Sequence, residues 1–258
     1  MSKKKNRTLW WIVILTFVVA IPTATFFIKT IIDKRKMDRA KALRYTAFGI
    51  DMPANYSIHG IDVSSYQETI DWASVKEMEI NKIKIGFAFI KATEGLNDAD
   101  KLFKRNWQAT KKDSITRGAY LFFLATKSGD KQARNFIKQV QLSKGDFPPV
   151  LDVEELYNVN PSIMRTRVKE CLKTLEATYK VKPIIYSYAN FYENYLGKEF
   201  DNYPLWIAHY FEKEKPRTSR EWTFWQHSDK GRVNGIAGDV DFNVFKGDSL
   251  DFKNLLIK

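Results

Sequence analysis

Two hydrophobic patterns divide the chain. The first is a block: Leu9 to Ile28, "LWWIVILTFVVAIPTATFFI", runs twenty positions without a charge. As a helix rising ~1.5 Å per residue it reaches about 30 Å, enough to cross the hydrocarbon core of a bilayer. The second begins at residue 58, where strand-like and helix-like periods alternate. "SIHGIDVSS" predicts a short strand and "IDWASVKEMEI" a helix; "IKIGFAFIKAT" with "DKLFKRNWQATKKD", then "RGAYLFFLA" with "GDKQARNFIKQVQ", repeat the pair. "PPVLDVE" leads into a long helix from Pro161 to about Lys180, opened by the cap-and-proline signal "NPS". "KPIIYSYAN" precedes a short helix around "FYENYLG", and "PLWIAHY", "EWTFWQHS" and "DVDFNVF" then read as three strands joined by loops. Five strand-helix units and three further strands predict an α/β fold, a TIM-like (β/α)5(β)3 barrel preceded by one transmembrane helix. A doubly wound open sheet is the competing arrangement, but no GxGxxG or P-loop pattern supplies it with a nucleotide site.

Charge sharpens this division. The chain of 258 residues carries a formal +12, which raises nucleic acid or an acidic surface as partners. Residues 1–57 hold eleven Lys/Arg against three Asp, a net of +8, and the remainder is only +4. The basicity is mostly N-terminal, and the globular part has no basic motif, so nucleic acid is not expected as a partner. The pattern predicts a basic cytoplasmic tail (1–8), a transmembrane anchor (9–28) and a charged, partly helical juxtamembrane linker (29–57). A barrel (58–258) follows, expected to be monomeric. Lys3, Lys4, Lys5 and Arg7 on one flank face Lys29, Lys34, Arg35 and Lys36 on the other, so charge alone does not orient the span. The apolar run exceeds the usual length of a signal-peptide core and lacks a convincing A-x-A site, which favours an uncleaved anchor. The lone cysteine, Cys171, excludes an intrachain disulfide.

Acidic residues fall where a barrel does its chemistry, at the C-terminal ends of strands: Asp62 on the first, Asp152 and Glu154 on the fourth, Asp241 on the last. Residues i and i+2 of a strand share a face about 6.6 Å apart, so Asp152 and Glu154 point together and Glu155 begins the loop. Repulsion between two close carboxylates, with partial burial, keeps a proton on one of them near neutral pH, as a general acid for glycosidic cleavage requires. A carboxyl separation of roughly 5 Å would suit a retaining mechanism. Taken alone, D-x-E also fits ordinary rim charges or a hard-cation site. His59, His209 and His227 lack close metal-ligand spacing, and no metal or cofactor is expected. Tyr120, Tyr186, Tyr188, Trp206 and Trp225 lie in strands or near their ends, where they can stack on sugars or pack the core.

The ordered segments "GIDVSSYQETIDW", "FAFIKATEG", "GAYLFF", "QARNFI", "PVLDVEE", "IIYSY", "LWIAHY" and "WQHSDKGRVNGIAGDVDFN" resemble those of glycoside hydrolase family 25 lysozymes, the Chalaropsis-type N-acetylmuramidases, over about residues 58 to 247. The resemblance implies a flattened barrel of five strand-helix units and three strands. It also implies hydrolysis of the β-1,4 bond between N-acetylmuramic acid and N-acetylglucosamine in peptidoglycan. By matching motif, Glu154 is similar to the general acid/base, Asp152 to the carboxylate that orients the substrate's N-acetyl group or attacks directly, and Asp62 and Asp241 to supporting acids. Glu94, Tyr120, Tyr186, Tyr188, Trp206, His209 and Gln226 are the expected substrate contacts. One departure is Leu121, where many members have His, which puts one substrate contact in question. Such a substrate would place the barrel on the extracytoplasmic side and the Lys3–Arg7 cluster inside. A catalytically silent wall-binding module and a chitinase-like hydrolase are the alternatives.

Overall fold

The computed structural model describes Thr25, residues 27–31, 42–45 and 47–258. The chain divides into two compact units, residues 1–43 and 44–258. The apolar block 9–28 lies outside the described residues apart from Thr25, Phe27 and Ile28, and among the described residues no helix is long and apolar enough to cross a membrane.

Eight strands close a barrel in the second unit: β1 (His59–Val63), β2 (Ile83–Glu94), β3 (Thr116–Phe122), β4 (Val150–Asp152), β5 (Ile184–Tyr188), β6 (Leu205–Ala208), β7 (Phe224–Gly231) and β8 (Val240–Phe245). β1 to β7 run parallel to their sequence neighbours, while β8 is antiparallel to both β7 and β1 and sits between them to complete the ring. Helices α1 (Trp72–Glu77), α2 (Phe103–Lys112), α3 (Gly129–Gln139) and α4 (Pro161–Tyr179) each follow a strand, and a short helical turn, Ala189–Leu196, follows β5. No helix separates β6, β7 and β8, and a terminal helix α5 (Ser249–Leu255) follows. The helix starts have local causes. Asn160 accepts from the Ser162 N–H with Pro161 in the first turn, and Ser128 accepts from the Lys131 N–H.

Period-2 alternation sorts the strand residues into two cores. Inward positions form an aromatic plug: Phe87 and Phe89 from β2, Trp206 from β6, Phe224 from β7 and Phe245 from β8, with Phe147 and the α5 residue Phe252 beneath. The plug needs two glycines. A Cβ on Gly60 would stand 2.4 Å from the Phe87 ring and one on Gly118 2.5 Å from Phe89, so the backbone must approach those rings bare. Outward positions such as Ile61, Leu151, Ile185 and Ile207 pack under the helices.

Two expectations change here. Residues 44–57, read from their charge as linker, belong to the barrel unit. They include a short strand, Ile50–Pro53, and the buried side chains of Phe48, Ile50 and Met52, with Phe48 edge-on to Phe242 of β8 at 5.4 Å. This apolar run is only five residues long and follows directly on a charged stretch, so its pattern is too short to stand out. Leu121 is fully buried in the outer core beneath the helices, because its neighbours Tyr120 and Phe122 take the inward positions; it is a packing residue and not part of the cleft.

Candidate active site

The C-terminal ends of the parallel strands carry Asp62, Asp152 and Glu154 to one mouth, whereas Asp241, expected at the end of the last strand, reaches it from the start of β8 because that strand runs antiparallel. Asp62 and Asp241 are direct neighbours across the β1–β8 ladder. Asp152 ends β4, opposite Phe122 of β3 and Tyr186 of β5, and Glu154 follows two residues later. Asp62 and Asp152 are buried, Glu154 and Asp241 half-buried, and Glu155 exposed. Lys91 of β2 faces this cluster, paired with Glu94 at 2.7 Å and lying 4.8 Å over the Phe122 ring. Beside Asp241 a cavity of about 680 Å³ opens toward the exposed ring of Tyr66, with Asp229, Lys230 and Asp239 on its walls.

Hydrogen bonds hold the acids in place. Gln226 of β7 donates from Nε2 to both oxygens of Asp62, at 2.9 and 3.1 Å, and its Oε1 accepts from the hydroxyls of Tyr186 at 2.8 Å and Tyr210 at 2.7 Å. Asn243 of β8 donates from Nδ2 to Asp62 Oδ1 at 2.6 Å and accepts the Trp206 indole N–H at 2.7 Å. The carboxyls of Asp62 and Asp241 stand within hydrogen-bonding reach of each other. Tyr186 stands within hydrogen-bonding reach of Glu154 as well as Gln226. A phenol has one proton, and here it is donated to Gln226.

Burial governs the protonation of the cluster. Each acid is pushed above its ordinary range first because burial penalises the charged form. Asp62 rises to about 6, held back by the donors Asn243 and Gln226. Glu154 rises to about 7, with the Tyr186 hydrogen bond pulling down and the Asp62 charge pushing up. Asp241 is pushed up to about 9 by burial and then by the Asp62 charge. Asp152 rises well above the carboxylate range, with Glu154 and Asp62 adding to burial, and its buried Oδ1 has no hydrogen-bond partner. Asp62, which meets the donors Asn243 and Gln226, is the member whose ionised form is best supported, while burial favours the protonated forms of Asp152 and Glu154.

The expected substrate contacts separate into two sets. Tyr188 is exposed, Tyr120 is partly buried against the inner plug, and Glu94 stands at the mouth. Trp206 is 2% exposed, stacked on Phe89 at 4.4 Å and edge-on to Tyr186 at 4.4 Å. Its ring offers no face to a sugar. Gln226 is likewise buried with every hydrogen-bonding group shown engaged with Asp62 and two tyrosines, and Tyr186 is buried with only its hydroxyl end on the network. His209 faces away from the mouth: its Nδ1 accepts the Arg217 N–H at 3.0 Å and Nε2 lies 3.7 Å from Glu212, bracing the loop after β6. Trp225 points outward among Tyr56 and Trp222. Alternation along β6 and β7 puts Trp206 and Gln226 inside and His209 and Trp225 outside. Asn243, Tyr210 and Lys91 were missed, although Asn243 stands two residues after Asp241 in "DVDFN" and so shares its strand face. Among the described residues no three His, Cys, Asp or Glu are grouped so as to hold a metal ion.

Comparison with known proteins agrees with this geometry. Residues 61–236 match the family described as Glycosyl hydrolases family 25. The chain is 45% identical over 250 residues to YegX of Escherichia coli strain K12, covering 95% of this chain and 92% of that one. It is 35% identical over 215 residues to Lysozyme M1 of Streptomyces globisporus, covering 76% and 70%. Among solved structures, a family 25 glycosyl hydrolase from Bacillus anthracis superposes with a TM-score of 0.73 at 33% identity over 80% of this chain and 96% of that one. A bacterial lysozyme from Streptomyces coelicolor gives 0.69 at 33% identity over 77% and 96%.

Proposed function

The chain belongs to glycosyl hydrolases family 25 and is a glycoside hydrolase; from that premise we propose that it is a peptidoglycan muramidase, cleaving the β-1,4 bond between N-acetylmuramic acid and N-acetylglucosamine with retention. The observation that carries the reading is the convergence of Asp62, Asp152, Glu154 and Asp241 at one barrel mouth, with Glu154 the half-buried acid poised near neutrality. The names of the relatives, Lysozyme M1 and the Autolytic lysozyme of Clostridium acetobutylicum, support the substrate.

In this mechanism Glu154 gives its proton to the glycosidic oxygen as the C1–O bond breaks, and the leaving sugar departs as an alcohol. The unbonded Oδ1 of Asp152 is suited to accept the N–H of the substrate's acetamide, turning the acetamide oxygen toward C1 to close a ring intermediate. Water then attacks C1, Glu154 takes its proton, and the acetamide is released. Asp152 attacking C1 directly is the alternative route and requires it first to lose its proton. Tyr188, Tyr120, Glu94 and the Tyr66 cavity provide the contact surface.

Location follows from the substrate. Residues 9–28 form an uncleaved anchor, residues 1–8 a cytoplasmic tail, and the barrel lies on the extracytoplasmic side. Full-length protein should then stay with membranes through a high-salt wash, because burial of an apolar helix does not depend on charge screening; a shortened soluble form released from intact cells would refute this. For the activity, mass spectrometry of digested peptidoglycan should find muramic acid at the new reducing ends. Glucosamine ends, release of peptides only, or cleavage of chitin in preference to peptidoglycan would overturn the assignment.

A further inference from the structure

We propose that Trp206 and Asn243 are positioning residues that hold Asp62 as the ionised member of the carboxyl cluster, through a one-way hydrogen-bond relay. The inference rests on the muramidase reading for its kinetic consequence but not for its structural content. The relay starts from an indole N–H, which can only donate. Trp206 is pinned between Phe89 and Tyr186, and its Nε1 donates to Asn243 Oδ1 at 2.7 Å. That fixes which way the Asn243 amide points: the oxygen must meet the indole, so the NH₂ must meet Asp62, where it donates at 2.6 Å. Turning the amide over would set two donors against each other at one end and two acceptors at the other. Buried Asn243 and buried Asp62 have no bulk water to repair such a mismatch.

Gln226 completes the hold from the other side with its two donor contacts to Asp62. Three donor contacts therefore converge on one carboxyl, and an ionised carboxylate, which only accepts, satisfies them all. The groups facing Asp62 are Asp241 on β8, Asp152 at the end of β4 and Glu154 just beyond it, and the phenols Tyr120, Tyr186 and Tyr210 on β3, β5 and the loop after β6. The fixed negative charge acts on each of them by favouring the protonated form. Trp206, a candidate sugar platform from its place in the sequence, thus acts on catalysis through Asn243 and Asp62 without touching substrate.

The test uses the folded barrel of the full chain with ¹³C-labelled aspartate carboxyls, the Asp62 signal being assigned from Asp62→Asn. In wild type Asp62 should titrate below Asp241. Trp206→Phe removes only the indole donor and its second ring, and isosteric Asn243→Asp puts an acceptor where the donor stood. Each should move the Asp62 titration upward by about one unit or more. The basic limb of the kcat profile should shift to lower pH as Glu154 loses the charge that sustains its proton. On peptidoglycan, kcat should fall about tenfold with KM within about twofold. An unmoved Asp62 titration in a folded variant would overturn the proposal, as would Asp62 titrating above Asp241 in wild type, which can be read even if both variants fail to fold. Raised KM with unchanged kcat in Trp206→Phe would instead make the ring a sugar contact. Because the titration needs no substrate, absence of muramidase activity in wild type would refute the functional reading while leaving the relay to be judged by NMR.

Discussion

Asp152 and Glu154 stand two residues apart at the end of β4, yet Asp152 is 6% exposed with an unbonded Oδ1 while Glu154 is half-buried and within reach of the Tyr186 hydroxyl. On the proposed mechanism the difference in burial divides their work. The more accessible acid can reach a glycosidic oxygen, and the enclosed one can meet only the part of a sugar that enters the mouth.

Glu154→Gln should accordingly lower kcat by about 10² to 10⁴-fold with the melting temperature and glycan binding nearly unchanged. Glu155→Gln is the control: that side chain is exposed and should retain most activity. Equal losses in the two variants, both folded, would sink the assignment. Asp152→Asn should also be crippled. Because burial favours the protonated form of Asp152 in the free enzyme, the amide should leave the basic limb nearly in place, in contrast to the shift that simple removal of a negative neighbour would cause.

The pH profile should be a narrow bell. Activity falls above about 7 as Glu154 loses the proton it must donate, and falls below about 6 as Asp62 gains one. The limbs belong to the coupled cluster and not to isolated residues. A profile flat from pH 5 to 9, measured on purified peptidoglycan, would contradict this.

Stability should fall together with activity at alkaline pH. Asp241 has an ordinary value of 3.8 and a folded value of about 9, so the folded protein binds more protons than the unfolded chain between those values. Stability is then lost as pH rises from about 4 toward 9. Asp241→Asn removes the burden, and at pH 8 it should be more stable than wild type by on the order of 1 kcal/mol while less active. Equal or lower melting temperature at pH 8 would be the contrary result.

How much of this was legible in the sequence depended on the range of the interaction. The alternating periods and the position of "VLDVEE" carried the barrel and its acids, because both are local. The roles of Trp206 and Gln226 were misread because a period-2 pattern says which residues share a face without saying which face is enclosed. The Asn243–Asp62 contact joins residues far apart in sequence through the antiparallel closure of β8 on β1, a pairing that no short window contains. Phe48, Ile50 and Met52 escaped notice for a different reason: their alternating run is only five residues long and follows directly on the charged stretch before it, although three-dimensional packing buries all three.

The N-terminal limit of the fold follows from that packing. A chain beginning at residue 44 should melt higher than one beginning at residue 58, which would bare the Phe242 side of the barrel; coincident melting curves would show residues 44–57 to be dispensable. Phe48→Ala alone should cost about 3–5 kcal/mol, given that Phe48 is fully buried.

His59 and His227 set the acid limit. Both are buried, with Nδ1 of His59 and Nε2 of His227 unbonded, and His227 lies between Trp225 and Phe242. Burial lowers His59 to about 4 and, with the neighbouring His59 adding repulsion, His227 to about 3. Below 6.5 the unfolded chain therefore binds protons that the folded protein refuses, so stability falls as pH drops from about 6.5 toward about 3. The acids oppose this over part of the range, since their raised values destabilise only above about 4, and the two slopes should leave a stability maximum on the mildly acidic side. His227→Phe keeps the aromatic packing and cannot be protonated. On lowering the pH from 6.5 to 4 its melting temperature should rise more, or fall less, than that of wild type, and an identical change in the two proteins would show that the acid sensitivity arises elsewhere.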